Sequence, residues 1–137
     1  MLTEIPRVAS YGLFPTLISI FDLSKEASYD QMLETVHKTV TSKHELMKDS
    51  ESTYDEGMGN NWLDHITLKH FKQSIQQCVD FYSEEYNLKR TVIKNSWMNR
   101  VGKGGSVRSH RHEGSVVSGA FYPIADEGSC PLIFKSP

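Results

Sequence analysis

His110-Arg111-His112 is the part of this sequence whose residue types and spacing could do chemistry. In an extended segment, side chains at i and i+2 leave the same face of the backbone, with Cα atoms roughly 7 Å apart. Two imidazoles placed so can meet on one divalent ion, while Arg111 points the other way. Imidazole suits iron, nickel, copper and zinc alike, so the pair by itself names no metal. The same spacing also fits two solvated polar residues at a strand end, and the pair alone does not choose between these readings. The sequence has six histidines. The others read as surface residues: His37 and His44 near the polar side of a first helix, His65 and His70 at the start of a second.

The surroundings of the pair add to it. Ser96-Trp97-Met98-Asn99 precedes a glycine-bearing turn at Gly102–Gly105. After it come His110-Arg111-His112-Glu113-Gly114-Ser115 and Ser118-Gly119-Ala120-Phe121-Tyr122. This succession resembles a group of iron(II)/2-oxoglutarate-dependent oxygenases of marine bacteria and their phages, with the pattern W-x-N, H-x-H-P-x-S, S-G-x-x-Y. Phe14-Pro15-Thr16 also resembles the start of those proteins. Glu113 departs from the pattern, standing where the family has proline, and Ala120 and Pro123 depart from its aromatic run.

The resemblance implies a double-stranded β-helix, a jelly-roll or cupin-like barrel with helices packed against one sheet. It implies His110 and His112 as metal ligands, and Asn99 and Tyr122 as hydrogen-bond partners of the cosubstrate. Fe(II) is the implied cofactor and 2-oxoglutarate the cosubstrate, converted to succinate and CO2 as a C–H bond of a small-molecule or peptide substrate is hydroxylated. The family's distal histidine and the basic residue gripping 2-oxoglutarate have no counterpart here. After Tyr122 there is no histidine, and Lys135 is the remaining basic residue. The expectation is an incomplete dioxygenase homologue, truncated at its C-terminus, with weak or no activity. The alternative is a non-catalytic cupin-like module that binds a metal or small ligand, or serves a structural role. An unclosed barrel should seek a partner, so a homodimer joined through exposed sheet edges is expected.

The elements that must position these residues follow from periodicity. Ile5 to Leu23 reads as extended, with a turn at Tyr11–Pro15, Pro15 at a strand start or edge, and a strand over Leu17–Phe21. Tyr29, Met32, Leu33, Val36 and Val40 recur at helical spacing, with Ser28 and Gln31 as a capping box and the helix fading near Lys48. Asp49 to Asn61 reads as a loop. A second helix is predicted from Asp64 or Thr67 to Tyr86, burying Leu68, Phe71, Ile75, Cys78, Val79 and Tyr82. Strands are predicted over Thr91–Asn99, Val107–His112, Val116–Ile124 and Leu132–Phe134, with a turn at Asp126–Ser129. Helices followed by strands make an α+β order. The chain reads as one domain, 1–137: residues 1–89 form an N-terminal strand and two helices, and 90–137 the first half of the barrel.

Composition narrows the classes. The 137 residues, 38% hydrophobic and 23% charged, suit a globular chain able to bury a core without disulfides. With 15 basic and 17 acidic residues the net charge is -2, which gives no footprint for nucleic acid. Arg100, Lys103, Arg108 and Arg111 form the one local basic cluster, fit for a small anion. Cys78 reads as a core residue and Cys130 as a loop thiol. No basic-then-apolar leader and no apolar run near the roughly 20 residues of a membrane span is seen, so the expected location is the cytoplasm.

Overall fold

The structure is a computed structural model that describes residues 7–13, 16–54 and 61–135. Of the turn expected over Tyr11–Pro15, Tyr11–Leu13 belong instead to a strand, while residues 14 and 15, with the role of Pro15, and residues 55–60 of the Asp49–Asn61 loop lie outside the described residues. The architecture is mixed α and β. Strands β1 (Arg7–Leu13) and β2 (Thr16–Phe21) form an antiparallel pair of their own, in register from Ala9↔Ile20 to Leu13↔Thr16. Helix α1 (Tyr29–Lys38) follows, then β3 (Ser42–Lys43) and β4 (Met47–Ser52). Two 3₁₀ turns, Trp62–Asp64 and Ile66–Leu68, lead into helix α2 (Lys69–Glu85), and β5 (Asn99–Val107) closes a three-stranded antiparallel sheet ordered β3-β4-β5.

Helix α1 buries Met32, Thr35 and Val36, the inward side of the predicted spacing. Asp30 in its first turn and His37 and Lys38 in its last complement the helix dipole. The predicted capping box is not made: Ser28 stands at the N-cap without a side-chain cap bond. The helix also stops at Lys38, well short of the expected fade near Lys48, because Thr39 is already extended (φ −68°, ψ 128°). Its last carbonyls are then satisfied from far along the chain. The Arg100 guanidinium of β5 donates to the carbonyls of Val36 and Thr39 at the end of the helix, where the Val36 carbonyl also takes the Thr39 N–H at 3.3 Å. Freed from the helix, residues 42–52 can pair as β3 and β4 where sequence periodicity predicts helix and loop.

Helix α2 matches its predicted span closely. Leu68 (0% exposed) and Phe71 (1%) are fully buried, while Ile75 and Cys78 pack half-buried on the same core. That core joins α1, the 3₁₀ turns and α2 through Leu23, Met32, Val36, Leu63, Leu68 and Phe71, with Met98 closing it from the segment before β5. Polar groups inside are paired: Ser74 Oγ donates to Glu26 Oε2 at 2.7 Å, and Thr35 and Thr67 hydroxyls meet at 2.7 Å.

The strand predicted over Thr91–Asn99 begins later. Residues 88–98 are tied instead by side chains: Gln76 takes the Thr91 carbonyl and the Ile93 amide, and Ser96 Oγ accepts from Leu63 N–H. The predicted Gly102–Gly105 turn is a bulge within β5. Pairing jumps from Ser50↔Val101 to Lys48↔Ser106, so β5 loops around Asp49, itself at φ 47°. A Cβ on Gly102 would fall 2.5 Å from the Asp49 carbonyl oxygen, and one on Gly105 would fall 2.4 Å from Ser50 Oγ. Only glycine lets the two backbones come this close.

After Val107 the described residues contain no strand, contrary to the predicted strands at Val107–His112, Val116–Ile124 and Leu132–Phe134. A strand needs a neighbour for its N–H and C=O groups, and among the described residues none lies alongside these. The predicted turn does form, with Ser129 N–H donating to the Asp126 carbonyl at 2.9 Å. The segment touches the rest through Phe121 against Phe71 (ring centres 5.0 Å), Tyr29 Oη to the Pro123 carbonyl, and Cys130 Sγ to the Gly105 carbonyl.

Candidate functional site

His110 and His112 lie in an irregular stretch beyond β5 and not on a strand face, yet their rings meet. The ring centres are 4.9 Å apart with planes at 89°. A turn at their C-terminal side, with Ser115 N–H donating to the His112 carbonyl and Gly114 at φ 76°, replaces strand geometry in holding them. Metal–nitrogen bonds of about 2.1 Å at about 90–110° to one another would set two imidazole centres roughly 4.5–5.2 Å apart. The observed spacing falls in that interval. Edge-to-face packing of two neutral rings gives the same distance, so the spacing is compatible with a shared ion without requiring one.

The hydrogen bonds of the pair define its chemistry further. His110 Nδ1 lies 2.7 Å from the Arg108 carbonyl, which can only accept. Nδ1 therefore carries a proton, and the lone pair of the neutral ring sits on Nε2. A backbone carbonyl on one ring nitrogen is the usual way a ligating histidine is held with the other nitrogen presented. His112 is pushed below the ordinary histidine range, first by desolvation and then by its neighbour His110. Both causes favour the neutral ring, the state a ligand needs.

Behind His112 stands Trp97, ring centres 5.3 Å apart, and behind Trp97 stands Tyr54 at 5.4 Å. His44 follows at 5.1 Å, nearly perpendicular to Tyr54. His44 lies in the turn between β3 and β4, not on the helix where it was expected. Its Nδ1 accepts from Leu46 N–H, so the proton of the neutral ring is on Nε2, which is buried with no hydrogen-bond partner among the described residues. Beside it, Thr41–Glu45 and Ser52–Tyr54 border an open groove of about 580 Å³.

The remaining expected site residues are not gathered at the pair. Asn99 opens β5 and its Oδ1 accepts from Ser52 Oγ at 2.7 Å, a tie between β4 and β5. Tyr122 is 52% exposed and makes no hydrogen bond or ring contact among the described residues. The expected basic patch is partly committed elsewhere: Arg100 holds the end of α1, and Arg108 donates to the Glu45 carbonyl. Among the described residues no three His, Cys, Asp or Glu side chains converge as a metal-ligating group.

In the sequence Trp97 belongs to a motif and a predicted strand, Tyr54 to a predicted loop, and His44 to the polar side of a predicted helix. Nothing in their spacing marks them, since Tyr54 and Trp97 are far apart in sequence and meet only through the pairing around β4 and β5. No protein-family model, curated protein or solved structure matches the chain.

Proposed function

We propose that His110 and His112 are two of the protein ligands of a divalent transition metal, and that the chain is a jelly-roll homologue of the iron(II)/2-oxoglutarate-dependent oxygenases with weak activity at most. The observation that carries the reading is the pair itself: two adjoining imidazoles, with His110 Nδ1 occupied by a carbonyl so that Nε2 is left for a ligand. The W-x-N, H-x-H and S-G-x-x-Y succession supports iron as the ion and 2-oxoglutarate as its partner. When bound, that pair of groups supplies O2-dependent hydroxylation of a C–H bond, with succinate and CO2 as coproducts. Asn99 keeps its amide donors for a cosubstrate, since its bond to Ser52 uses only the carbonyl oxygen. Tyr122, with its hydroxyl unbonded, is the second candidate contact. The substrate class is a small molecule or peptide.

The β3-β4-β5 sheet is the part of the barrel this reading uses. The free edge of β5 and the exposed Val116, Ile124, Leu132, Ile133 and Phe134 support a homodimer in which the later segment finds its strand partners. Two free cysteines fit a reducing, cytoplasmic setting. The second reading is a cupin-like module that holds a metal or small ligand without turnover.

Anaerobic addition of Fe(II) and 2-oxoglutarate separates the two. The oxygenase reading expects a weak visible charge-transfer band, lost in His110→Ala, and release of succinate once O2 is admitted. Metal uptake without the band or succinate would leave the module. No uptake at all would remove both.

A further inference from the structure

The two histidines are oriented by different means. His110 is fixed by the Arg108 carbonyl, whereas His112 has no side-chain hydrogen bond among the described residues and lies on no strand that would aim it. A ligand imidazole normally has its second nitrogen held by a carbonyl, carboxylate or water. What holds the His112 ring is the indole of Trp97, tilted at 49° against it.

Trp97 is itself braced. Thr53 N–H donates to the Met98 carbonyl, and Met98 N–H donates to Thr53 Oγ1, both at 2.9 Å. These reciprocal bonds clamp the residues next to Tyr54 and Trp97, so the two rings are brought edge to face by backbone pairing and not by side-chain choice alone. At the base of the column His44 is locked by the Leu46 amide and by its own carbonyl accepting from Met47 N–H. His44, Tyr54, Trp97 and His112 thus make a continuous stack of rings, anchored at the sheet end and ending at His110.

We infer that Trp97, backed by Tyr54, is the positioning residue for His112, replacing by aromatic packing the hydrogen bond a ligating histidine ordinarily receives. The inference rests on the metal reading of the pair. It assigns Trp97 no contact with substrate and no share in the chemical step.

Co(II), added alone to the chain, is the probe, read by its visible ligand-field spectrum. Trp97→Leu is expected to weaken Co(II) binding by about tenfold or more and to alter the spectrum, in line with losses seen when a ligand's support is removed. Trp97→Phe, which keeps a ring against His112, should restore affinity to within about threefold, and Tyr54→Phe should bind as the unaltered chain does because the column uses the ring and not the hydroxyl. A second measurement needs no metal: the His112 ring protons should carry a ring-current shift that Trp97→Leu abolishes. Unchanged Co(II) affinity in folded Trp97→Leu, even with a lowered Tm, would reduce Trp97 to a structural role and overturn the inference. So would His112 resonances indifferent to the substitution. Failure of the unaltered chain to take up Co(II) would instead overturn the metal reading and the positioning role with it; an intact ring-current shift would then show that the column exists without that purpose.

Discussion

The stretch from Leu23 to Glu85 and the stretch from Arg108 to Lys135 are built on opposite terms. In the first, apolar side chains from α1, the 3₁₀ turns and α2 converge on one core, and buried hydroxyls find partners there. In the second, Val116, Ile124, Leu132, Ile133 and Phe134 are all at least half exposed, and a few contacts bind the segment to the rest. Both are comparably apolar in sequence. What differs is whether a surface is available to cover them, and apolar residues order a segment only when something removes them from water.

The candidate metal pair sits at the start of the less covered region and leans on the better ordered one. His112 reaches back to Trp97, whose neighbour Met98 belongs to the core. A site built so takes its precision from the covered side and its access from the open side.

Four substitutions or conditions would break or sharpen this comparison. The largest effect is expected from Phe71→Ala, which empties a site 1% exposed and removes the ring on which Phe121 rests. A loss of about 3–5 kcal/mol in urea unfolding is expected. Arg100→Met should cost about 1.5–3 kcal/mol by the same measurement, because the carbonyls of Val36 and Thr39 at the helix end lose a charged donor. If Arg100→Met were neutral, the link between α1 and β5 would be incidental.

The pH dependence should be smaller. His112 is held below the ordinary value by burial and by His110, so the unfolded chain binds its proton more readily. The His112 contribution is therefore present above about pH 6.5 and is lost as pH falls through that value towards the folded pKa. Stability measured between pH 7.5 and about 5 should show this slope, and Trp97→Leu, which exposes the ring, should flatten it. The smallest effect is expected from Ile133→Ser, 71% exposed in the single chain: within about 0.5 kcal/mol for the monomer. A large loss that depends on protein concentration would show that Ile133 is covered by a second copy, and would erase the contrast between the regions.

The helices were legible to within a few residues wherever apolar periodicity ran unbroken, as in α2. The errors lie where a distant group overrode a local pattern. Val40 continues the spacing of α1, but Thr39 is extended and Arg100 closes the helix ahead of it, an event no local window contains. Gly102–Gly105 read as a turn because glycine marks both turns and bulges, and only the presence of Asp49 opposite selects the bulge. The later predicted strands carry the right residue types but, among the described residues, no neighbour to pair with.

For the candidate site the division is similar. The two-residue spacing of His110 and His112 keeps the rings within reach of each other, and the irregular backbone with its turn at Gly114 sets them 4.9 Å apart. Asn99 and Tyr122 came from a resemblance in linear order, and linear order does not bring side chains to one point. The sequence by itself determined which residues are able to ligate and which faces of the helices turn inward, because both depend on neighbours within a few positions. Tertiary structure alone decided that Tyr54 and Trp97 would stand behind His112. That arrangement exists only once residues 53 and 98 have paired, and such pairing is a contest among distant backbones that no local spacing records.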